Sequence, residues 1–119
     1  MNGPQRQPAL ESTFLIACMR AWYHVQVASL HRLPSEAGKF IYQVKLTDGT
    51  LWILRVVEDT SKANIMELAY FLLFFEQQQY PAERVILTVE QTTLATVGEW
   101  HLLMTTFLVG SPLEYAPPS

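Results

Sequence analysis

The sequence predicts an α+β domain: an antiparallel sheet of about five strands, one long helix packed on it, and a short helix ahead of the sheet. Three observations predict it. Two runs rich in β-branched and aromatic residues, "FIYQVKL" (40–46) and "LWILRVV" (51–57), flank "TDGT" (47–50). Its Asp-Gly pair supplies the positive φ angles of a two-residue hairpin loop. A long apolar stretch with helical spacing, "EDTSKANIMELAYFLLFFEQQQ", then separates these strands from a second group of strand-like runs. Finally, the order helix, three strands, helix, two or three strands lacks the strict βαβ alternation of a parallel sheet.

Residues 1–8, polar and carrying two prolines, read as a loose tail, and 9–110 as the domain. "ALESTFLIACMRAW" (9–22) has helix formers with apolar residues at Leu10, Phe14, Ala17 and Ala21, and reads as a short helix in which Cys18 is a buried small hydrophobe. "YHVQVASLHRL" (23–33) reads mostly as a strand and "PSEAGK" (34–39) as a loop. After the hairpin, Thr60 or Ser61 is placed to cap a helix running to about Gln79, and Pro81 stops it. "RVILTVE" (84–90) reads as a strand, Val97–Glu99 as a turn and Trp100–Phe107 as the last strand. Residues 111–119 are loop-like.

The bulk numbers bound the function. The chain has 119 residues, 50% hydrophobic and 16% charged, which suits one small packed domain. A net charge of −3 without a Lys/Arg cluster argues against nucleic acid as a partner. One cysteine excludes an internal disulfide, and His24, His31 and His101 lack metal-ligand spacing. The start has no signal-peptide layout, and the longest apolar run, "LAYFLLFF" (68–75), is far short of the ~20 residues of a membrane span. A cytoplasmic protein without a membrane partner is the expectation.

One residue breaks the strand pattern. Arg55 stands in "LWILRVV" on the same face as Ile53 and Val57, because side chains alternate with period two. A buried guanidinium needs a carboxylate, and Glu67, near the start of the long helix, is the expected partner. That helix is apolar nearly all round: Ile65, Leu68 and Leu72 form one stripe, and Tyr70, Phe71, Phe74 and Phe75 cover much of the rest. Such a helix is buried on two sides, and a homodimer through 62–79 would supply the second.

The layout resembles the N-terminal lobe of the aminoglycoside phosphotransferase family of small-molecule, protein-kinase-like kinases. "FIYQVKLTDGTLWILRVV" looks like that family's second and third strands, with the basic residue in "WILR". "IMELAYFLLFFEQQQYPAERVI" looks like its Glu-bearing helix, the following proline and the next strand. "WHLLMTTFLVG" is similar to its last N-lobe strand and hinge, and "PSEAGKFIYQV" sits where the nucleotide loop should be. The resemblance implies that Arg55 contacts the α- and β-phosphates of ATP and that Glu67 orients it. It implies that Ile53 lies over the adenine and Met104 at the back of its pocket. The backbone from Thr105 to Phe107 would bind the adenine edge, and Ser35, Ala37 and Gly38 would arch over the phosphates.

The departures from the family are equally plain. The loop has one glycine, His101 is the last histidine, and no Asp follows Asp59. The family's His-x-Asp, its downstream Asn and its metal-binding Asp have no counterpart, so the chain alone should not transfer phosphate. The resemblance makes 111–119 the start of a linker to a second, catalytic lobe, the lobe's natural partner. Magnesium would act in the full-length parent, with no cofactor tightly bound here. Two other readings stay open: a stand-alone, non-catalytic interaction domain of the same fold, and an unrelated α+β ligand-binding domain in which Arg55–Glu67 is only structural and "PSEAGK" an ordinary loop.

Overall fold

The computed structural model describes residues 11–107. Helix α1 (Ser12–Tyr23) is followed by strands β1 (Val27–Leu33), β2 (Lys39–Leu46) and β3 (Leu51–Glu58), and a 3-10 turn (Asp59–Ser61) leads into α2 (Lys62–Gln77). Three strands complete the fold: β4 (Val85–Ile86), β5 (Leu94–Val97) and β6 (Trp100–Thr106). All form one antiparallel six-stranded sheet in the order β1-β2-β3-β6-β4. β5 shares the outer edge of β6 with β4: β5 pairs with Trp100–Leu103 and β4 with Met104–Thr105.

The two faces of the sheet bury different helices. Leu15, Cys18, Met19 and Tyr23 of α1 pack on one face against Val44, Leu54, Val56, Leu102 and Met104. On the other face, Ile65 and Ala69 of α2 meet Val57 and Leu103. Period-two alternation in β3 divides the labour: Leu54 and Val56 point to α1, Arg55 and Val57 to α2. The sheet lies between the two helices, so α1 does not cover the outer side of α2. Tyr70 and Tyr80, at 67% and 60% exposure, stay open to solvent with Phe71 and Phe74, at 53% each.

Several local features differ from the sequence expectation. The hairpin loop has three residues, not two: the Leu46 N–H donates to Thr50 O and the Gly49 N–H to Leu46 O. Only Gly49 carries a positive φ (94°), and the Asp48 carboxylate accepts the Thr50 N–H at 2.9 Å. This is the three-residue loop that closes on a left-handed glycine. Those bonds hold the fully exposed Asp48 carboxyl below its usual value. Ser61 occupies the N-cap of α2 without a side-chain capping bond. The helix ends at Gln77, and Gln79 turns left-handed (φ 59°) ahead of Pro81.

Only Val85–Ile86 of the expected 84–90 strand pairs. Thr88, buried, then gathers a turn: its hydroxyl meets that of Thr92 at 2.7 Å and accepts the Thr92 N–H at 3.2 Å. The Val89 N–H donates to Trp22 O. Leaving the edge here lets the chain return as β5, a strand the sequence did not announce. Among the described residues, no helix is long and apolar enough to cross a membrane, and no three His, Cys, Asp or Glu side chains gather as metal ligands.

Candidate functional site

Antiparallel pairing sets Arg55 of β3 opposite Leu103 of β6 and Ile41 of β2, on the α2 face. A cavity of about 300 Å³ opens there. The β1–β2 loop and β2 supply Ser35, Lys39 and Ile41 to its wall, β3 supplies Arg55, and the start of α2 supplies Ser61 and Asn64. The wall therefore joins an irregular loop that also brings the Glu36 carboxylate, paired with Lys39 at 3.3 Å, a strand cation and a helix N-terminus, the last two suited to an anion.

Arg55 is not alone in its strand. Its Nη1 and Nη2 donate to Oε1 and Oε2 of Glu83 at 3.1 and 3.5 Å, a fork-on-fork pair. Nη1 also donates to Thr105 Oγ1 at 3.3 Å, and that hydroxyl donates to Glu83 Oε1 at 2.8 Å. The Arg55 and Glu83 side chains are 23% and 15% exposed, and Thr105 is fully buried. A mostly buried ion pair with a third partner is a stable place for a guanidinium inside a sheet.

The expected Arg55–Glu67 contact does not form. Glu67 lies about 200° around the helix from Ile65 at ~100° per residue, and Ile65 is the residue pressed on the sheet. It is exposed, on the same outward face as Phe71 and Phe74. The stripe that buries α2 is Ile65, Ala69 and Leu72, and from it Asn64, not Glu67, reaches the cavity. Glu83 stands in the loop after α2, a position with no periodicity to betray its direction. Its signal in sequence was only an acidic residue between Pro81 and a strand.

The other expected residues divide. Ile53 is buried, paired in register with Thr105, on the face of Arg55. Met104 is fully buried but faces α1, on the opposite side of the sheet from Arg55. It is a core residue and not the wall of this cavity; period two gives Thr105 that side instead. Ser35 lines the cavity, its hydroxyl donating to Lys39 O. Ala37 and Gly38 form the exposed turn beyond it, where Gly38 adopts φ 82°. No atom of another residue would approach a side chain at Gly38, so conformation is its requirement.

The backbone expected to bind an adenine edge is engaged within the chain. The Thr106 N–H donates to Arg84 O at 2.9 Å and the Phe107 N–H to Leu51 O at 3.3 Å. The loop before β4 runs beside Thr106 and takes up that edge. The segment 111–119, expected to lead to a linker, lies outside the described residues. A second polar cluster escaped the sequence reading. Buried His101 bonds Thr96 Oγ1 through Nδ1 at 3.0 Å and the Asp59 carboxylate through Nε2. It ties the turn ahead of α2 to β6.

No protein-family model matches the sequence, and no curated protein is significantly similar to it. The fold is found in solved structures. A spectinomycin phosphotransferase in complex with ADP and spectinomycin superposes with a TM-score of 0.67 at 11% identity, over 83% of this chain and 30% of its own. An amicoumacin kinase in complex with AMP-PNP and calcium gives a TM-score of 0.72 at 13% identity, over 92% of this chain and 34% of its own. The chain thus spans about a third of the length of these kinases. With the helix–three strands–helix–strands order and the antiparallel sheet in place, the chain carries the fold of a kinase-like N-terminal lobe as it occurs in small-molecule phosphotransferases.

Proposed function

We propose that this chain is the nucleotide-binding lobe of a small-molecule phosphotransferase, with ATP as the nucleotide. The observation that carries the reading is Arg55. It stands in the cavity between the β1–β2 loop and the start of α2, on the face of a sheet whose fold recurs in nucleotide-bound kinases. Arg55, with Ser35 and Asn64 around it, would take the phosphates, and buried Ile53 would support the base. The 119 residues hold no His-x-Asp and no Asp after Asp59. The general base and the magnesium ligands of a transfer to a hydroxyl would have to come from outside them. The acceptor, an aminoglycoside, choline, homoserine or a sugar, would be chosen there too.

Half a cleft binds weakly, because affinity needs polar groups converging from both walls. Titration with ADP, followed by backbone amide shifts, should give a millimolar dissociation constant with changes at Ser35–Lys39, Arg55 and Asn64. Shifts confined to another surface, or a micromolar constant on this chain alone, would mean that the site is misplaced.

A second reading has its own observation. Tyr70, Phe71, Phe74 and Tyr80 form an exposed aromatic face on and just after α2. Phe75 links Phe71 and Tyr80, its ring centroid 6.5 and 5.4 Å from theirs. That face favours a homodimer through α2, whether the lobe serves catalysis or is an interaction domain in its own right.

A further inference from the structure

We propose that Glu83 is the positioning residue of the phosphate-binding cation: the loop between α2 and β4, rather than helix α2, aims Arg55 at a nucleotide's phosphates. The inference rests on the nucleotide reading above and deepens it. Arg55 lines the cavity, whereas Glu83 and Thr105 do not, so the carboxylate stands behind the guanidinium and the cavity in front of it. A guanidinium has five N–H donors. Both on Nη1 and one on Nη2 are taken by Glu83 and Thr105. One Nη2–H and the Nε–H have no protein partner among the described residues, which leaves two donors in a fixed plane for phosphate oxygens.

The loop that carries Glu83 is itself held. Thr105 Oγ1 donates to the carboxylate, the Arg84 N–H donates to Thr106 Oγ1 at 3.0 Å, and the Thr106 N–H donates back to Arg84 O. β6 thus fixes the Glu83 carboxylate and the backbone of the residue that follows it, and Arg84 pairs with Glu76 at 3.4 Å at the end of α2. Glu67, the helix carboxylate at the start of α2, faces away. The direction of Arg55 is therefore set by Glu83 and Thr105, and not by a carboxylate of α2.

The test compares ADP with adenosine on the full chain and on Glu83→Asp, Glu83→Gln and Glu67→Gln, by amide-shift titration. Glu83→Asp keeps the charge and loses the reach; Glu83→Gln keeps the reach and loses the charge. Positioning predicts that both weaken ADP by about tenfold, the loss of one well-directed charge-assisted contact. Adenosine binding, which uses no cation, should stay unchanged. The Arg55 side-chain N–H resonances should be sharp in the parent chain and broadened in both variants. A merely structural role would lower ADP and adenosine binding together, and that result overturns the inference. So does tighter ADP binding by Glu83→Gln, which would make Glu83 a charge neutraliser, or an equal loss of ADP in Glu67→Gln. Failure of the unmodified chain to bind either ligand removes the nucleotide reading and this inference with it. ADP binding indifferent to Glu83 removes this inference alone.

Discussion

The exposed aromatic face makes a quantitative prediction about association. Tyr70, Phe71, Phe74 and Tyr80 each expose more than half of their surface. An aromatic side chain offers about 150–250 Å², so the four together present roughly 450 Å². That is in the middle of the ~300–600 Å² range for the largest apolar patch of a monomer. Pairing two copies face to face would bury about 900 Å², somewhat under the ~1,200–2,000 Å² of a stable interface. At ~25 cal/mol per Å² the gross gain is roughly 20 kcal/mol. Association entropy and the ordering of side chains offset most of it, leaving about 5–7 kcal/mol. That corresponds to a dissociation constant of tens to hundreds of micromolar.

Replacing Phe71 and Phe74 together by Gln removes close to half of the buried apolar area, more than the net gain, and should abolish pairing. Gln keeps helix propensity and both side chains are exposed, so the monomer should keep its stability within about 0.5 kcal/mol. Sedimentation velocity from about 10 µM to 1 mM reads the outcome, a concentration range chosen to bracket that constant. The parent should shift from monomer toward dimer, and the double variant should not. A parent that stays monomeric at the highest concentration refutes the reasoning, and so does a variant that associates as the parent does. The face points away from the cavity, so this outcome is independent of nucleotide.

Two further outcomes concern stability. Glu83→Ala leaves Arg55 with Thr105 alone beside the cavity and should cost about 2 kcal/mol, between the values for exposed and for buried pairs. Glu67→Ala should cost no more than about 0.5 kcal/mol, and equal costs in urea denaturation would contradict the observed pairing. The Tyr23 phenol is buried with no hydrogen-bond partner among the described residues, and burial pushes its pKa above the ordinary 10.0. The folded state therefore favours the neutral phenol. Its contribution is intact below pH 10 and is lost as pH rises beyond that, because the unfolded chain ionises first. Tyr23→Phe should be neutral or stabilising at pH 8 and should flatten the alkaline loss; a urea midpoint that falls equally in both proteins would refute this.

The sequence by itself determined the local geometry of this protein. Asp48-Gly49 between β-rich runs made the β2–β3 hairpin legible, and period two set Ile53, Arg55 and Val57 on one face before any contact was known. The order of elements was enough to place the antiparallel sheet and its long helix, and a guanidinium in a strand announced a carboxylate somewhere. Tertiary structure decided which one. Glu67 and Glu83 are both acidic residues near α2, and a helix face can be told from its apolar stripe only when that stripe is narrow. In α2 apolar residues run almost all round, so periodicity could not say that Ile65, Ala69 and Leu72 touch the sheet and that Glu67 faces water. The family resemblance alone puts Met104 at the back of the adenine pocket; packing gives it, with Trp100 and Leu102, to the α1 side of β6, opposite His101, Leu103 and Thr105. The early end of β4 and the appearance of β5 depend on Thr88, whose buried hydroxyl gathers a turn from residues that otherwise read as strand. Periodicity is a property of one element; the partner of Arg55, 28 residues away in sequence, is a property of how elements meet.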